Sequence, residues 1–394
     1  MRLSKLELEN WRGFTSLSLE LESDLTLLVG DNGAGKSAIL EAIAVALGRV
    51  TGGTAAHPPG HVLRIGAAQG SVSLEVTVPG VGSRTTTVSG PPWAAAKLGE
   101  PWGTRSVAVL YPADRSAYDL TPPPGRGYRV VNDLLRADHP EARFGYDELF
   151  GWFRDREDLE NERIRDDSSF RDPALEAVRR AIAGVWPGIA NPRLRRESTS
   201  GATSTPPRLS VEKEGTRLFL DALSDGERGL VVLGADLARR LAESEVAEPL
   251  QAEGIAMVDE IDLHLHPRLQ REVIGRLRRT FPNVQWVLTT HSPLVAMHVE
   301  RRCVRLLESF ELQPVPKTFG RDANSLLIEL FGTRFEPDAT RERVGRILSW
   351  IDDGEYTKAT RGLDALAAEL GEDDVTVLRN RTILALANPG SIES

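Results

Sequence analysis

A single cysteine, Cys303, among 394 residues leaves no internal disulfide to form, and one thiol alone cannot build a zinc site. That scarcity fits a reducing, cytoplasmic setting. Long apolar runs are missing as well. No stretch approaches the roughly 18 uncharged residues of a membrane helix, and Met1 to Glu9 carries charges where an export signal needs an apolar run. A soluble, non-exported protein without a membrane partner is expected. Surplus positive charge is also absent: 48 Lys plus Arg against 57 Asp plus Glu give a formal charge of -9, so any nucleic-acid contact has to be a local patch. Sustained heptads are lacking between the glycine-rich loop and residue 220, which counts against a long coiled coil, and there are no internal repeats.

What is present is enough apolar material, 41% of residues, for one large or two modest cores. Leu6 and Leu8, then Leu17, Leu19 and Leu21, alternate with polar residues, which predicts two half-buried strands around the turn Asn10-Trp11-Arg12-Gly13-Phe14. Leu25 to Val29 is almost wholly apolar and runs into a glycine-rich turn. Beyond it, Ile39, Leu40, Ile43, Ala44 and Leu47 fall at helical spacing. Further strands are expected at Val72 to Val78, Arg84 to Val88 and Val107 to Tyr111, the last apolar enough to be central. Pro122, Pro123 and Pro124 break the chain.

From about Tyr146 to Val185 the pattern is helical and charged. Phe150, Phe153 and Leu159 fall on one side, with Arg154, Arg156, Glu157 and Glu160 elsewhere, as in a solvated surface lobe. A Ser/Thr/Pro loop from Glu197 to Pro207 leads to a hairpin at Leu209 to Leu220. Apolar strands return at Ile255 to Val258, Trp286 to Thr289 and Val304 to Leu307, alternating with helices from near Ser224, Pro267 and Ser292. Such alternation predicts a mainly parallel sheet with helices on its faces. The last 55 or so residues are helical.

Gly30-Asp31-Asn32-Gly33-Ala34-Gly35-Lys36-Ser37 matches G-x-x-x-x-G-K-[ST] between a strand and a helix, the context that pattern requires. Backbone N–H groups from Asn32, Gly33, Ala34 and Gly35 can turn inward around phosphates, with the helix start behind them. Lys36 reaches the outer phosphates and Ser37 offers a hydroxyl to magnesium. Ile255 to Val258 ends in Asp259-Glu260 and is expected beside the strand that leads into the loop. Asp259 would then hold the metal, and Glu260 would polarise the attacking water. ATP and Mg2+ are the cofactors these patterns imply. His264 and His266, in Asp262-Leu263-His264-Leu265-His266-Pro267, have too few partners for a metal site.

Three further segments carry a family resemblance. Leu223-Ser224-Asp225-Gly226-Glu227 resembles the signature of ABC ATPases, in the variant found among the SMC, RecF and overcoming-lysogenization-defect relatives. There Ser224, Gly226 and Glu227 would contact the terminal phosphate of ATP bound to the opposite subunit. Thr289-Thr290-His291-Ser292-Pro293 resembles the switch-histidine region, which makes His291 a sensor of hydrolysis. Asn10 to Phe14 is similar to the Asn-Phe-Arg-Gly-Phe opening of the same heads, where the arginine, here Arg12, approaches the nucleotide. The resemblance places His264 and His266 in the D-loop at the subunit seam. No glutamine stands where those families carry one after Tyr111; Arg115, Glu157 and Glu160 are the substitutes on offer.

These resemblances imply an α/β P-loop NTPase head of the ABC type, with a mainly parallel sheet, an antiparallel β subdomain, a helical insert and a helical C-terminal tail. The boundaries expected are 1–135 and 205–335 for the two halves of the head, 136–204 for the insert and 336–394 for the tail. A longer likeness is to the Septu-type and retron-associated anti-phage ATPases. It rests on Trp152-Phe153-Arg154 to Glu162, Gly320 to Leu326, and Ile351 to Tyr356 through Gly371 to Asp374. It implies a homodimer or larger homo-oligomer that sandwiches ATP and gates a separately encoded HNH nuclease. This chain has no HNH centre of its own, since its seven histidines lie apart from any Asn-His-Cys set. Nor does an acidic Toprim pattern follow Pro293. Two rivals stay open. One is an SMC/RecF-like repair ATPase that touches DNA through Arg193, Arg195 and Arg196 or Arg271, Arg276, Arg278 and Arg279; the other is the ATPase subunit of a membrane transporter.

Overall fold

The computed structural model describes residues 1–50, 62–78, 82–91, 94–95, 107–113, 146–195, 207–244, 246–315 and 338–388. The Pro122 to Pro124 break, Arg115, Arg196, most of the Ser/Thr/Pro loop and the Gly320 to Leu326 turn lie outside the described residues. Two compact units divide the chain, Met1–Gly332 and Thr333–Ser394.

A six-stranded sheet organises the first unit. Its order is β14 (Glu311–Gln313), β13 (Val304–Glu308), β3 (Leu25–Val29), β12 (Val284–Thr290), β11 (Gly254–Val258) and β7 (Val107–Tyr111). All neighbours run parallel except the β13 and β14 hairpin. Two expectations are corrected by this order. The strand carrying Asp259 is not beside β3, because β12 lies between them. Val107 to Tyr111 is not central either; it ends the sheet among the described residues, and its burial comes from layers above and below rather than from a strand on each side.

Those layers explain why the strands read as continuous apolar runs. Alternate residues point to opposite faces. Leu25, Leu27, Val29, Ala256, Val258, Trp286 and Leu288 join one core, and Leu28, Ile255, Met257 and Val287 join the other. The first core is closed by α2 (Tyr146–Asp166), α3 (Pro173–Val185), α4 (Asp225–Ala242) and α6 (Val273–Thr280). The second is closed by α1 (Lys36–Val50) and by a five-stranded antiparallel sheet, β2 (Phe14–Glu20), β1 (Arg2–Trp11), β4 (Gly70–Val78), β5 (Gly82–Gly90) and β6 (Ala94–Ala95). A three-stranded antiparallel sheet of β10 (Thr216–Phe219), β9 (Arg208–Lys213) and β8 (Ile189–Arg195) leads into α4.

The charged helix is not the solvated lobe its composition suggests. Leu149, Phe150, Trp152 and Phe153 are buried in the core shared with α4. Glu157 and Glu160 lie on the buried side too: Glu160 takes Arg179 at 2.8 Å and Arg193 at 3.1 Å, and Glu157 accepts the Leu194 N–H. These carboxylates are spent on fastening α2 to α3 and β8, so neither stands in for the missing glutamine. Arg193 is thereby neutralised, as Arg276 is by Glu272 and Arg278 by Asp24.

The second unit is three helices, α8 (Asp338–Asp352), α9 (Tyr356–Leu370) and α10 (Val375–Ala387), around Ile347, Ile351, Leu363, Leu366 and Val377. No helix among the described residues is long and apolar enough to cross a membrane.

One buried polar network joins α4 to the sheet. Tyr111, the last residue of β7, donates its hydroxyl to Asp236 at 3.0 Å, and Arg239 and Arg240 bond the same carboxylate at 2.8 and 2.5 Å. Burial pushes the Asp236 carboxyl up, but Arg240 and Arg239 more than offset it and hold it below its ordinary value. Removing one member strands the others' charge in the core. Asp236→Ala is therefore expected to lose about 3–5 kcal/mol of stability in denaturant unfolding; a loss under about 1 kcal/mol would mean the network contributes no more than a single hydrogen bond.

Candidate nucleotide site

The parallel register brings four strand ends to one edge. Val29 is paired with Thr290, Val258 with Leu288, and Val258 with Tyr111. Open α/β sheets bind ligands outside the carboxyl ends of their strands, and the loops leaving these ends carry nearly all the residues singled out by the sequence.

After β3 the chain makes the glycine-rich loop. Gly33 and Gly35 have φ of +83° and +101°, in the left-handed region where a side chain is strained. At Gly35 a Cβ would also sit 2.6 Å from the Phe14 ring. Lys36 is buried at the start of α1, and its ammonium donates to the carbonyls of Gly30 at 2.7 Å and Asp31 at 2.9 Å. Burial pulls that ammonium below its ordinary value, against the attraction of Asp259, Glu260, Asp262 and Asp31. A phosphate arriving here would replace carbonyl dipoles with full negative charge.

The strand end after β11 meets α1 across the sheet edge. Ser37 Oγ donates to Asp259 Oδ2 at 2.8 Å. The hydroxyl and carboxylate form an oxygen pair of the kind a hard divalent cation prefers, so these residues fit magnesium. Thr289, on the intervening strand β12, fixes the other oxygen: its hydroxyl donates to Asp259 Oδ1 at 2.6 Å and accepts the Glu260 N–H at 2.7 Å. Glu260 itself is held at φ +47°, a conformation that costs a non-glycine residue about 1–3 kcal/mol and clusters at functional sites. Thr290 repeats the arrangement one residue on, donating to the buried Asp262 at 2.5 Å. His291, which is 47% exposed, sits with Nε2 3.5 Å from the other Asp262 oxygen.

A cavity of about 350 Å³ opens over these groups, lined by Arg12, Asn32, Lys36, Ser37, Glu260 and Phe310 with the loop glycines, and also by Ala38 and Glu41. Arg12 arrives on the β1–β2 turn, where Asn10 and Arg12 both adopt positive φ. Trp11 anchors that turn: it is fully buried and donates its indole N–H to the Ala38 carbonyl on α1 at 2.9 Å. Phe310 comes from the two-residue β13–β14 turn, with Ser309 and Phe310 both left-handed, and packs edge-on against Phe14.

The signature segment is built separately. Ser224 caps α4 in a reciprocal capping box with Glu227, and Lys213 pairs with Glu227 at 2.5 Å. Gly226 lies so close to the loop after Glu260 that a Cβ would be 2.3 Å from the His264 carbonyl. Ser224, Gly226 and Glu227 do not line the Lys36 cavity of their own chain. His266 caps the short helix α5 (Pro267–Gln270), accepting the Arg268 N–H. Sequence reading missed Thr289, Glu41 and Phe310 as parts of the site.

Comparison with known proteins agrees with this geometry. A model described as an AAA domain matches residues 5–84, and one described as "AAA domain, putative AbiEii toxin, Type IV TA system" matches residues 112–297. The chain is an ATPase of the AAA-type P-loop class. More particularly, it is homologous to the retron ATPases and the Septu protein PtuA. It is 25% identical to the Retron Ec83 probable ATPase of Escherichia coli over 96% of this chain and 85% of that protein. It is 35% identical to Septu protein PtuA of Bacillus mycoides (strain KBAB4), over 28% of this chain and 16% of that protein. Among solved structures, an SMC head bound to the C-winged helix domain of ScpA superposes with a TM-score of 0.48 at 15% identity, covering 77% of this chain and 93% of that one.

Thr289 holds the Asp259 carboxylate and the Glu260 backbone N–H with one hydroxyl. Thr289→Val, which keeps the shape, is expected to slow phosphate release from ATP roughly 10–100-fold. An unchanged rate would show that neither the Asp259 carboxylate nor the Glu260 backbone depends on that hydroxyl.

Proposed function

We propose that two copies of this ATPase close head to head over two ATP molecules, and that the closure gates a separately encoded effector, an HNH nuclease, in anti-phage defence. The observation that carries the reading is the split site. The phosphate cradle, Ser37, Asp259 and Glu260 meet in one chain, while the capped start of α4 at Ser224 stands apart from that cavity. A second copy would bring its Ser224, Gly226 and Glu227 to the terminal phosphate. The likeness to the retron ATPase and to PtuA supports the defence setting.

Within this reading the residues take distinct roles. Asn32 to Gly35 offer backbone N–H groups to the phosphates, and Lys36 adds charge. Ser37 and Asp259 would hold Mg2+, which when bound neutralises charge on the phosphate oxygens. Glu260 orients and deprotonates the attacking water. His291, steadied by Asp262, reports on the terminal phosphate. The insert, residues 136–204, and the tail, residues 336–394, hold the effector.

Glu260→Gln should keep ATP bound while turnover falls by about 10²–10⁴-fold, and the same variant should shift to a dimer or larger species by light scattering when ATP is added. Undiminished hydrolysis would remove Glu260 from its role, and a monomer in saturating ATP would remove the sandwich.

A further inference from the structure

A cavity that receives a polyanion has a carboxylate in its wall that the roles above do not use. Glu41 lies on α1 four residues after Ser37, hence on the same helix face one turn on, and both line the cavity. Its charge is met by Arg12, whose Nη2 stands 2.6 Å from Glu41 Oε2. Both side chains are about a third exposed, 35% and 32%. The other charged groups around Glu41 are Asp259, which repels it, and Lys36 and Glu260 in the cavity wall.

Arg12 cannot be moved bodily. Its N–H bonds the Val62 carbonyl at 2.5 Å, and the adjoining Trp11 is pinned to Ala38. The side chain, by contrast, has a donor to spare, since Nε is buried without an acceptor among the described residues. A guanidinium so placed beside Lys36 and Ser37 has two claimants: Glu41 in the empty cavity and a phosphate in the filled one. Phosphate offers more charge and a forked acceptor.

We infer that Glu41 is a positioning residue that stores the Arg12 guanidinium at the cavity wall and competes with the phosphates of ATP for it. The inference rests on assigning the cavity to ATP. Nucleotide affinity is then net of breaking the Arg12–Glu41 pair, and the empty cavity is protected from an uncompensated carboxylate.

A binding cycle tests this. The full chain, with Mg2+, is titrated with the ATP analogue AMP-PNP as wild type, Arg12→Gln, Glu41→Gln and the double variant. If the pair breaks on binding, Arg12→Gln costs roughly fivefold more affinity in the Glu41→Gln background than in wild type, the worth of a partly exposed ion pair. Equal penalties in the two backgrounds mean the pair survives binding, or Glu41 is only structural, and overturn the inference. A smaller penalty in the Glu41→Gln background means Glu41 aims Arg12 at phosphate, which also overturns it. Glu41→Asp, which keeps the charge but loosens the pair, gives a second cycle of the same sign and smaller size should Glu41→Gln not fold. Wild type that binds no AMP-PNP would discard the ATP assignment itself, whereas binding with an additive cycle discards the storage role alone.

Discussion

Four carboxylates crowd the proposed triphosphate site. Asp259, Glu260 and Asp262 act on Lys36, and Glu41 lines the same cavity; like charges repel more strongly as water is excluded. Partners built into the fold make the arrangement tolerable. Asp259 is held by Ser37 and Thr289, Asp262 by Thr290, and Glu41 by Arg12. Glu260, like Glu41, lines the cavity, and it does so from a strained backbone, where a reacting water would need a base.

Strand register makes that assignment possible. Because β12 lies between β3 and β11 and ends in step with both, Thr289 reaches Asp259 and the Glu260 N–H while Thr290 reaches Asp262. A carboxylate-bearing strand directly beside β3 would have no such hydroxyls between it and the P-loop. The inserted strand therefore serves as a ruler: it spaces the Asp259 carboxylate to meet Ser37 Oγ and gives His291, the residue following, a fixed relation to Asp262. Anchoring at the far end of the sheet runs through Tyr111 and Asp236, which tie α4 to the end of β7.

Much of this was legible in the residues. The glycine loop needs Gly33 and Gly35 at positive φ, and the motif says so. The apolar runs at Leu25 to Val29 and Ile255 to Val258 announce strands covered on both faces, and a helix is expected from near Ser224, where α4 begins. What stayed hidden depends on strand order and on charge pairing, neither of which has a local signal. Nothing in Val107 to Tyr111 distinguishes a central strand from an end strand covered by helices. Glu157 and Glu160 look like solvated residues until α3 and β8 supply Arg179 and Arg193. Phe310 enters the cavity from a turn nearly 300 residues away from the loop it packs against, and only the β13–β3 pairing brings it there.

The close packing of Gly226 on His264 bears on how ATP and assembly are linked. The start of α4 and the loop after Glu260 share a backbone contact that leaves no room for a methyl group. That loop begins at Glu260, the proposed water-activating carboxylate, and carries Asp262, the partner of His291. Anything that displaces the Ser224 cap, such as a phosphate held by another copy, therefore pushes on the segment that orients Glu260 and His291 in its own chain. Close-packed contacts transmit such a shift instead of absorbing it. In the proposed sandwich each copy's signature would thus sense the neighbour's nucleotide and adjust its own catalytic loop, so that two sites hydrolyse in concert without a separate relay.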